Sequence, residues 1–256
     1  MVRGLYTACT GMVNQMARLD VISNNLANSD TTAYKKEGAT SQAFRDVLAI
    51  KMNDSSVKYI PQPIGFMELG VKIGETYTNY SDGNLEETGN TLDVALAGKG
   101  FFAISYADKN GVESVRYTRD GNFALSSDGT LMTKDGDFVL DENGDLINIP
   151  GGLEVTIDES GRIFAGNQEV ARLQLVDFED YNYLKKFGEN MYIAVDGATT
   201  QEADCKVYQG YLEASNVNVI DEMIEMITVS RDYESNQKII QSIDATLETA
   251  VNLGRI

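Results

Sequence analysis

The side chains that most often carry catalysis are scarce in this sequence. Its 256 residues include no histidine, which removes the commonest general base and the commonest metal ligand. Neither a glycine-rich phosphate loop nor a Gly-x-Ser-x-Gly nucleophile turn is present. Cys9 and Cys205, the two cysteines, are too few for a disulfide framework and are expected to be buried or half-buried. The sequence therefore predicts a protein that is not an enzyme, without catalytic, cofactor-binding or metal-binding residues.

The remaining reactive groups are 39 Asp and Glu side chains. Any acidic β-protein offers pairs of carboxylates that could be read as a glycosidase site, so such pairs carry little information. The run from Asp141 to Asp145 imitates the start of a calcium loop. Leu146 and Gly152 stand, however, where the loop needs Gly and a bidentate Glu. The run therefore predicts a β-turn with solvated carboxylates.

The charge is negative and concentrated in the middle of the chain. The net charge is −18, and residues 61–210 carry 11 Lys and Arg against 26 Asp and Glu. Such a surface repels phosphate backbones, so we expect no nucleic acid partner.

No run of about 18 apolar residues is present to cross a membrane. We also expect no cleavable signal peptide, because polar side chains interrupt the first apolar segment.

Both ends of the chain have the apolar periodicity of helices. Residues 5–28 repeat apolar side chains every seven positions, and residues 217–253 contain neither Gly nor Pro. A two-in-seven stripe is typical of a helix packed against another helix. The C-terminal helix would be about 55 Å long and needs a partner along its length. We therefore expect the two helices to pair as a coiled-coil stalk.

The middle of the chain has the pattern of an antiparallel meander. Turn-forming pairs at Asp120-Gly121, Asp128-Gly129, Asp135-Gly136 and Asn143-Gly144 follow one another at intervals of 8, 7 and 8 residues. Short β-rich runs lie between them. The predicted fold is α+β, with long N- and C-terminal helices and a central all-β domain. Its predicted parts are a helical polymerisation core at 1–40 and 212–256, an extended linker at 41–80 and a β-domain at 81–211.

Four groups of residues resemble the flagellar basal-body rod and hook protein family, and its proximal and distal rod proteins most closely. They cover nearly the whole chain in the family's order. Ala33 stands where the family usually has glycine, which argues against a left-handed backbone there. The matching groups are Ser23 to Asn28 with Thr31 to Lys35; Gly83 to Leu85, Thr88 to Asn90 and Leu92 to Phe102; Tyr117 to Phe123; and Gly210 to Asn218 with the following helix.

The resemblance implies a structural function at the flagellar basal body. Rod proteins of this family are exported by the flagellar type III apparatus without cleavage. They assemble with copies of themselves and with neighbouring rod and hook proteins into a hollow helical shaft that transmits torque. In the family the terminal helices form the inner domain and the β-domain lies outside it. The same is expected of this chain, with no cofactor and no membrane insertion.

The candidate interface residues lie on the two helices and in the asparagine-rich motifs. The apolar stripes could be ordinary core or a subunit contact, and the asparagines could be helix caps or buried amides that fix register. We expect subunit contacts from Leu5, Met12, Leu19, Asn24, Asn25, Leu26, Asn28, Asn216, Asn218, Met223, Met226, Arg231, Tyr233, Ile240 and Leu247.

Two other functions fit parts of the sequence. A surface adhesin would also present a β-domain on paired helices, but we would expect it to carry a signal peptide or an anchor. A β-fold hydrolase would need a convergent acid–base site, and no motif locates one. The rod subunit is therefore the leading hypothesis, and the adhesin is the alternative.

Overall fold

The computed structural model describes residues 2–44, 47–51, 62–108, 111–151 and 153–254. Within these ranges two α-helices flank 20 short strands. The chain forms two compact units, the first comprising Met1–Ala27, Glu37–Asn79 and Asn218–Ile256 and the second Asn28–Lys36 and Tyr80–Val217. The protein is therefore α+β, with a central antiparallel β region. Part of the predicted linker at 41–80 lies outside the described residues, and the predicted boundaries at 40, 80 and 211 stay predictions.

The first unit contains both helices. Strand β1 pairs antiparallel with β4, and β2 pairs antiparallel with β3 in a separate two-stranded ladder. The elements are α1 Val2–Ala27, β1 Glu37–Ala43, β2 Val47–Lys51, β3 Gln62–Met67, β4 Val71–Thr78 and α2 Val219–Leu253.

Each helix buries a stripe with alternating spacings of three and four residues, as a helix packed on one side must. At its start α2 is capped by Asn218, whose side chain accepts a hydrogen bond from the Ile220 N–H at 3.1 Å. α1 has no acidic residue in its first turn, and α2 has no basic residue in its last turn. The stripes are Leu5, Ala8, Met12, Gln15, Leu19, Ile22 and Leu26 on α1, and Glu222, Met226, Val229, Tyr233, Asn236, Ile240, Ile243 and Leu247 on α2.

The two helices run antiparallel. Arg18 pairs with Glu225 at 2.8 Å, and a Cβ placed on Gly4 would lie 3.6 Å from Ile243 Cδ1. The start of α1 therefore lies beside the later turns of α2, and the end of α1 beside the start of α2. Neither of these described helices is long and apolar enough to span a membrane.

The predicted coiled-coil stalk is wrong. α1 packs not only on α2 but also on the β1–β4 ladder, where Asn14 Nδ2 donates to Ser41 Oγ at 2.9 Å. On the same side, a Cβ on Gly70 would collide with the Thr10 hydroxyl. The helices therefore belong to a compact unit together with strands and do not form a separate two-helix stalk. Apolar periodicity reveals that a helix has a packed face, but not that a sheet also covers it.

The second unit is built almost entirely of strands. Strands β16, β17, β8, β7, β11, β10 and β9 follow one another in its largest sheet, in which β7 also pairs with β15, and β15 with β18. Smaller ladders join β12, β13 and β14, then β19 with β6, and β20 with β5. The strands are β5 Leu85–Glu87, β6 Val94–Gly98, β7 Phe101–Ala107, β8 Glu113–Thr118, β9 Phe123–Leu125, β10 Leu131–Thr133, β11 Phe138–Val139, β12 Val155–Ile157, β13 Arg162–Ala165, β14 Gln168–Arg172, β15 Leu175–Phe178, β16 Leu184–Phe187, β17 Met191–Ala194, β18 Thr200–Glu202, β19 Cys205–Gln209 and β20 Tyr211–Glu213.

The predicted glycine turns serve two different purposes in this unit. Gly129, Gly136 and Gly144 have φ of 82°, 96° and 84°, the left-handed backbone that glycine adopts without strain. Gly121 is needed for another reason, since a Cβ there would collide with the Val94 carbonyl oxygen. The main core of this unit includes Leu96, Phe102, Phe123, Ile147 and Ile163.

Ala33 adopts the left-handed backbone that its side chain disfavours. Its φ is 57°, and it is the one described residue other than glycine with a positive φ. The residue is buried, and its N–H donates to the Glu213 carbonyl oxygen at 2.7 Å. The expectation drawn from the missing glycine is therefore wrong. The surrounding contacts hold a conformation that costs alanine about 1–2 kcal/mol.

We expect Ala33→Val to destabilise the protein by about 2–3 kcal/mol, because a branched side chain raises the left-handed strain and has no space in a buried site. Ala33→Gly should be within about 1 kcal/mol of the wild type, since relief of strain offsets the lost methyl group and the added chain entropy. Urea unfolding measures both effects. Ala107→Val, on an exposed strand end, is the control and should change little. Equal stability of all three variants would contradict the argument.

Candidate subunit interface

Most of the predicted apolar interface residues face the inside of their own unit. Eight of them lie half-buried on the stripes that α1 and α2 turn toward each other, so a large part of their contact area is used within one chain. A direct role between subunits stays a prediction for these side chains. The eight are Leu5, Met12, Leu19, Leu26, Met226, Tyr233, Ile240 and Leu247.

Other apolar side chains of the helices are exposed. We define patch A as Tyr6, Val13 and Met16 on α1, and patch B as Ile220, Met223, Ile224 and Ile227 on α2. Their side chains are 49% to 68% exposed. Scattered exposed apolar residues are normal, but contiguous ones on a helix mark an interaction surface. Of the predicted set Met223 belongs to patch B, and Arg231 is exposed on the same helix.

Hydrogen bonds of the Asn25 side chain connect the end of α1 to β1 and to α2. Its Nδ2 donates to the Glu37 carbonyl oxygen at 2.8 Å and to Glu222 Oε2 at 3.1 Å. Its Oδ1 accepts from the Glu37 N–H at 3.0 Å. Because Asn25 and Glu222 are both buried, these bonds form away from water, where a missing partner is costly. Asn25 therefore sets the register of α1 against β1 and α2, while its neighbour Asn24 is exposed.

The remaining predicted asparagines shape the chain next to the helices. Asn28 Oδ1 accepts from the Thr31 hydroxyl at 3.2 Å, in the turn that follows α1. Asn216 Oδ1 accepts from the Lys36 N–H at 2.7 Å, and its Nδ2 donates to the Ser81 carbonyl oxygen at 3.0 Å. Asn218 caps α2 as described above. These bonds are internal, so a role of the asparagines in subunit contact stays a prediction.

A buried ionic network lies in the second unit, and sequence reasoning missed it. Lys35 Nζ and Glu213 Oε1 are 2.6 Å apart, and both side chains are almost fully buried. The Arg119 guanidinium lies 3.8 Å from the other Glu213 oxygen and 2.8 Å from Asp82. Glu213 Oε1 also accepts from the Gly83 N–H at 2.8 Å. The network thus joins four separate stretches of sequence.

Burial lowers the pKa of the Lys35 ammonium, and the negative charge of Glu213 opposes that shift. The ammonium also donates to the Ser81 carbonyl oxygen at 2.9 Å. A buried cation is tolerated only when it is paired and hydrogen-bonded. Lys35 and Glu213 lie 178 positions apart in sequence, so no local pattern could have paired them. The one sign in the sequence that these two residues are important was that both belong to motifs of the family resemblance, Thr31 to Lys35 and Gly210 to Asn218.

An acidic cleft of about 330 Å³ opens between strands of the second unit. Asp120, Asp135, Asp137 and Glu189 line it. Burial raises the pKa of Asp120 and of Asp137, and the nearby Asp135 charge raises both further. Among the described residues no group of three or more His, Cys, Asp or Glu side chains is placed to hold a metal ion.

The polar groups of the cleft serve the fold. Asp120 accepts from the Asn122 N–H at 3.0 Å, and the Thr118 hydroxyl donates to the Asn190 carbonyl oxygen at 2.9 Å. The Thr133 hydroxyl oxygen accepts from the Asp137 N–H at 3.2 Å. These hydroxyls are committed to backbone groups and are not poised as nucleophiles.

We expect Glu213→Gln to destabilise the protein by about 3–5 kcal/mol, because Lys35 would then be buried without its paired counter-charge and Arg119 would keep only Asp82. Thermal and urea unfolding measure the loss. Glu159→Gln is the matched control, since Glu159 pairs with Lys206 at 2.9 Å in solvent, and an exposed pair contributes below about 1 kcal/mol. A loss no larger than that of the control would show that the network is not a strong constraint.

We expect Asp137→Asn to stabilise the protein at pH 7 by less than about 1 kcal/mol, since the carboxyl is only half-buried. The folded-state pKa of Asp137 lies above its ordinary 3.8, so its protonated form favours folding, and that contribution is lost as the pH rises through the raised pKa. The stabilisation by Asn should therefore fade as the pH falls through the raised pKa and should be absent below about pH 3.8. Unfolding temperatures from pH 3 to 8 test this, with Asp128→Asn in an exposed turn as control. A difference independent of pH would contradict the linkage.

Three sequence models of flagellar protein families match successive segments of the chain. The model described as "Flagella basal body rod protein" matches residues 5–35, which include α1 and Lys35. "Flagellar hook protein FlgE/F/G D1 domain" matches residues 95–165 in the β region. "Flagellar basal body rod FlgEFG protein C-terminal" matches residues 208–253, which include Glu213 and α2. The matched segments therefore contain both helices and both partners of the buried pair.

Curated relatives extend the similarity over the whole chain. The flagellar basal-body rod protein FlgG of Bacillus subtilis is 35% identical over 100% of both chains. FlgG of Buchnera aphidicola from Schizaphis graminum is 33% identical over 97% of this chain and 98% of its own. The rod protein FlgF of Caulobacter vibrioides is 34% identical over 100% of both. With identities above 30% across its full length, this chain belongs to the flagellar basal-body rod protein family.

Proposed function

We propose that this chain is a structural subunit of the flagellar basal-body rod that binds copies of itself and neighbouring rod and hook subunits through the exposed apolar faces of its terminal helices. The observation that carries the proposal is the position of patches A and B. They lie within residues 5–35 and 208–253, the segments matched by the two rod-protein models. A structural subunit needs such surfaces, whereas an isolated soluble domain would expose apolar side chains at a cost.

The internal contacts of the first unit support the same function. Asn25, Arg18 and the buried stripes fix the two helices against each other and against β1. Patches A and B are therefore presented on a preorganised surface, which lowers the entropy lost on association. The predicted stripe residues would support assembly indirectly, because they pack together the two helices that carry the patches.

Export without cleavage and the absence of catalysis are parts of the proposal. The named relatives are structural rod proteins, and this chain has no histidine to serve as a general base. The hydroxyls of the acidic cleft are engaged in backbone hydrogen bonds. The adhesin alternative has no support among these relatives.

We expect Val13→Asp and Ile224→Asp to abolish rod assembly and swimming while leaving the unfolding transition of the purified chain nearly unchanged. Each places a charge at a surface that is exposed in the free chain and buried on assembly, where an unpaired charge costs about 3–5 kcal/mol. Soft-agar motility, electron microscopy of isolated basal bodies and urea unfolding of the purified variants measure the three quantities.

Two further variants serve as controls. Asp128→Lys changes the charge of an exposed β-turn and should assemble and swim normally. Met226→Asp, on the buried stripe of α2, should lose assembly together with the structure of the helix pair, which circular dichroism would report. Swimming cells with normal rods in both patch variants would show that the patches are not the interface.

A further inference from the structure

Three segments of the second unit meet beside the places where the chain enters or leaves that unit. The unit comprises Asn28–Lys36 and Tyr80–Val217, so it has four ends along the chain. Three of these ends belong to, or directly adjoin, the segments 33–36, 81–83 and 213–216. We call these three segments together the three-segment cluster.

The side chain of Asn216 bonds to both of the other segments. Its Oδ1 accepts from the Lys36 N–H at 2.7 Å, and its Nδ2 donates to the carbonyl oxygen and the hydroxyl of Ser81 at 3.0 and 3.2 Å. Its backbone N–H donates to the Tyr34 carbonyl oxygen at 3.3 Å. One residue therefore connects stretches of chain that lie 135 and 180 positions away from it in sequence.

A second set of hydrogen bonds joins the same three segments without that amide side chain. The Ala33 N–H donates to the Glu213 carbonyl oxygen at 2.7 Å, and the Gly83 N–H donates to Glu213 Oε1 at 2.8 Å. The Ser81 carbonyl oxygen also accepts from Lys35 Nζ at 2.9 Å. This oxygen takes part in both sets, so the two sets are linked through it.

The cluster is tightly packed as well as hydrogen-bonded. A Cβ placed on Gly83 would collide with the Ala214 carbonyl oxygen, and Tyr34, Lys35 and Glu213 are at most 2% exposed. Moving one segment away would leave buried polar groups of the other two without partners, which is costly. Such an arrangement favours opening of all three segments together over opening of one.

We propose that the three-segment cluster opens and closes as one cooperative unit, and that the Asn216 amide stabilises its closed form. Folded proteins contain local units that open below the free energy of global unfolding. Three ends of the second unit are then held or released together, and a pull on the chain at one of them is shared by all three segments. The inference concerns the free chain, so it does not depend on assembly into a rod.

Native-state hydrogen exchange of the purified full chain, measured residue by residue by NMR at increasing urea, tests the coupling. The reporters are the Ala33 and Gly83 amides. Both donate to Glu213, so neither loses its own acceptor when Asn216 is changed. In the wild type we expect these two amides to share one protection factor and one urea dependence, both below those of Leu131, a buried residue of the main core.

In Asn216→Ala we expect the protection factors of Ala33 and Gly83 to fall by the same factor, about 10- to 100-fold, because one shared opening loses two or three hydrogen bonds. Asn216→Asp is the milder variant, since it keeps an acceptor for the Lys36 N–H and loses the donor to Ser81. It should lower both protection factors by a smaller but again equal factor.

Asn218→Ala is the matched control. Asn218 lies two residues further along the chain and caps α2 through the Ile220 N–H. Removal of this cap should leave the protection of the Ala33 and Gly83 amides unchanged.

Three results would overturn the inference. Unequal protection factors or urea dependences of Ala33 and Gly83 in the wild type would show that the segments open separately. Values equal to those of Leu131 would show that they open only when the whole unit unfolds. Unchanged protection of both amides in the two Asn216 variants would show that this amide does not stabilise the closed form. Because exchange is measured on the free chain, none of these results bears on the proposed rod function.

Discussion

The carboxylate of Glu213 is the contact on which the order of the β region depends. It is buried with Lys35, lies against Arg119 and accepts the Gly83 N–H. Its own carbonyl oxygen accepts the Ala33 N–H. One residue thus fixes the turn after α1, the segment before β5 and the end of β8, all next to the point where the chain leaves β20 for α2. Without Glu213, Lys35 would be a buried charge without its paired carboxylate and Arg119 would keep only Asp82, so this one carboxylate compensates much of the buried positive charge.

The strands of the middle region were largely predictable because their signals are local. Two of the short β-rich runs between the predicted turn pairs, at residues 123–125 and 131–133, form β9 and β10, and Gly129 in the turn between them has a left-handed backbone. Strand order was not predictable: β7 and β8 form a local hairpin, but β7 also pairs with β11 and β15, and β8 with β17, across intervening strands. The role of each glycine was not predictable either. A Cβ at position 121 would collide with the Val94 carbonyl oxygen, and no dipeptide pattern contains that contact.

The sequence alone could assign the proposed interface to the two helices but not to particular faces of them. Both sides of each helix carry apolar side chains, so periodicity alone could not separate Met226, which packs inside the unit, from Ile224, which faces solvent. The coiled-coil stalk failed for a related reason: the side of α1 that meets the β1–β4 ladder uses polar residues such as Asn14. The subunit contact predicted for Asn25 stays a prediction, and its partners within the chain, Glu37 and Glu222, appear only in the folded chain.

The polar contacts that stabilise the antiparallel helix pair differ between its two ends. At one end Asn218 caps α2 and Asn25 bonds to Glu222, whereas at the other end α1 begins without an acidic residue and α2 finishes without a basic one. Ends without complementary charges fray first. A tensile load applied through the two chain termini would therefore unzip the pair one turn at a time from its weak end. A twisting load carried by contacts along the outer faces would be shared by many turns at once, so the same helix pair would be compliant to pulling and stiff to torsion.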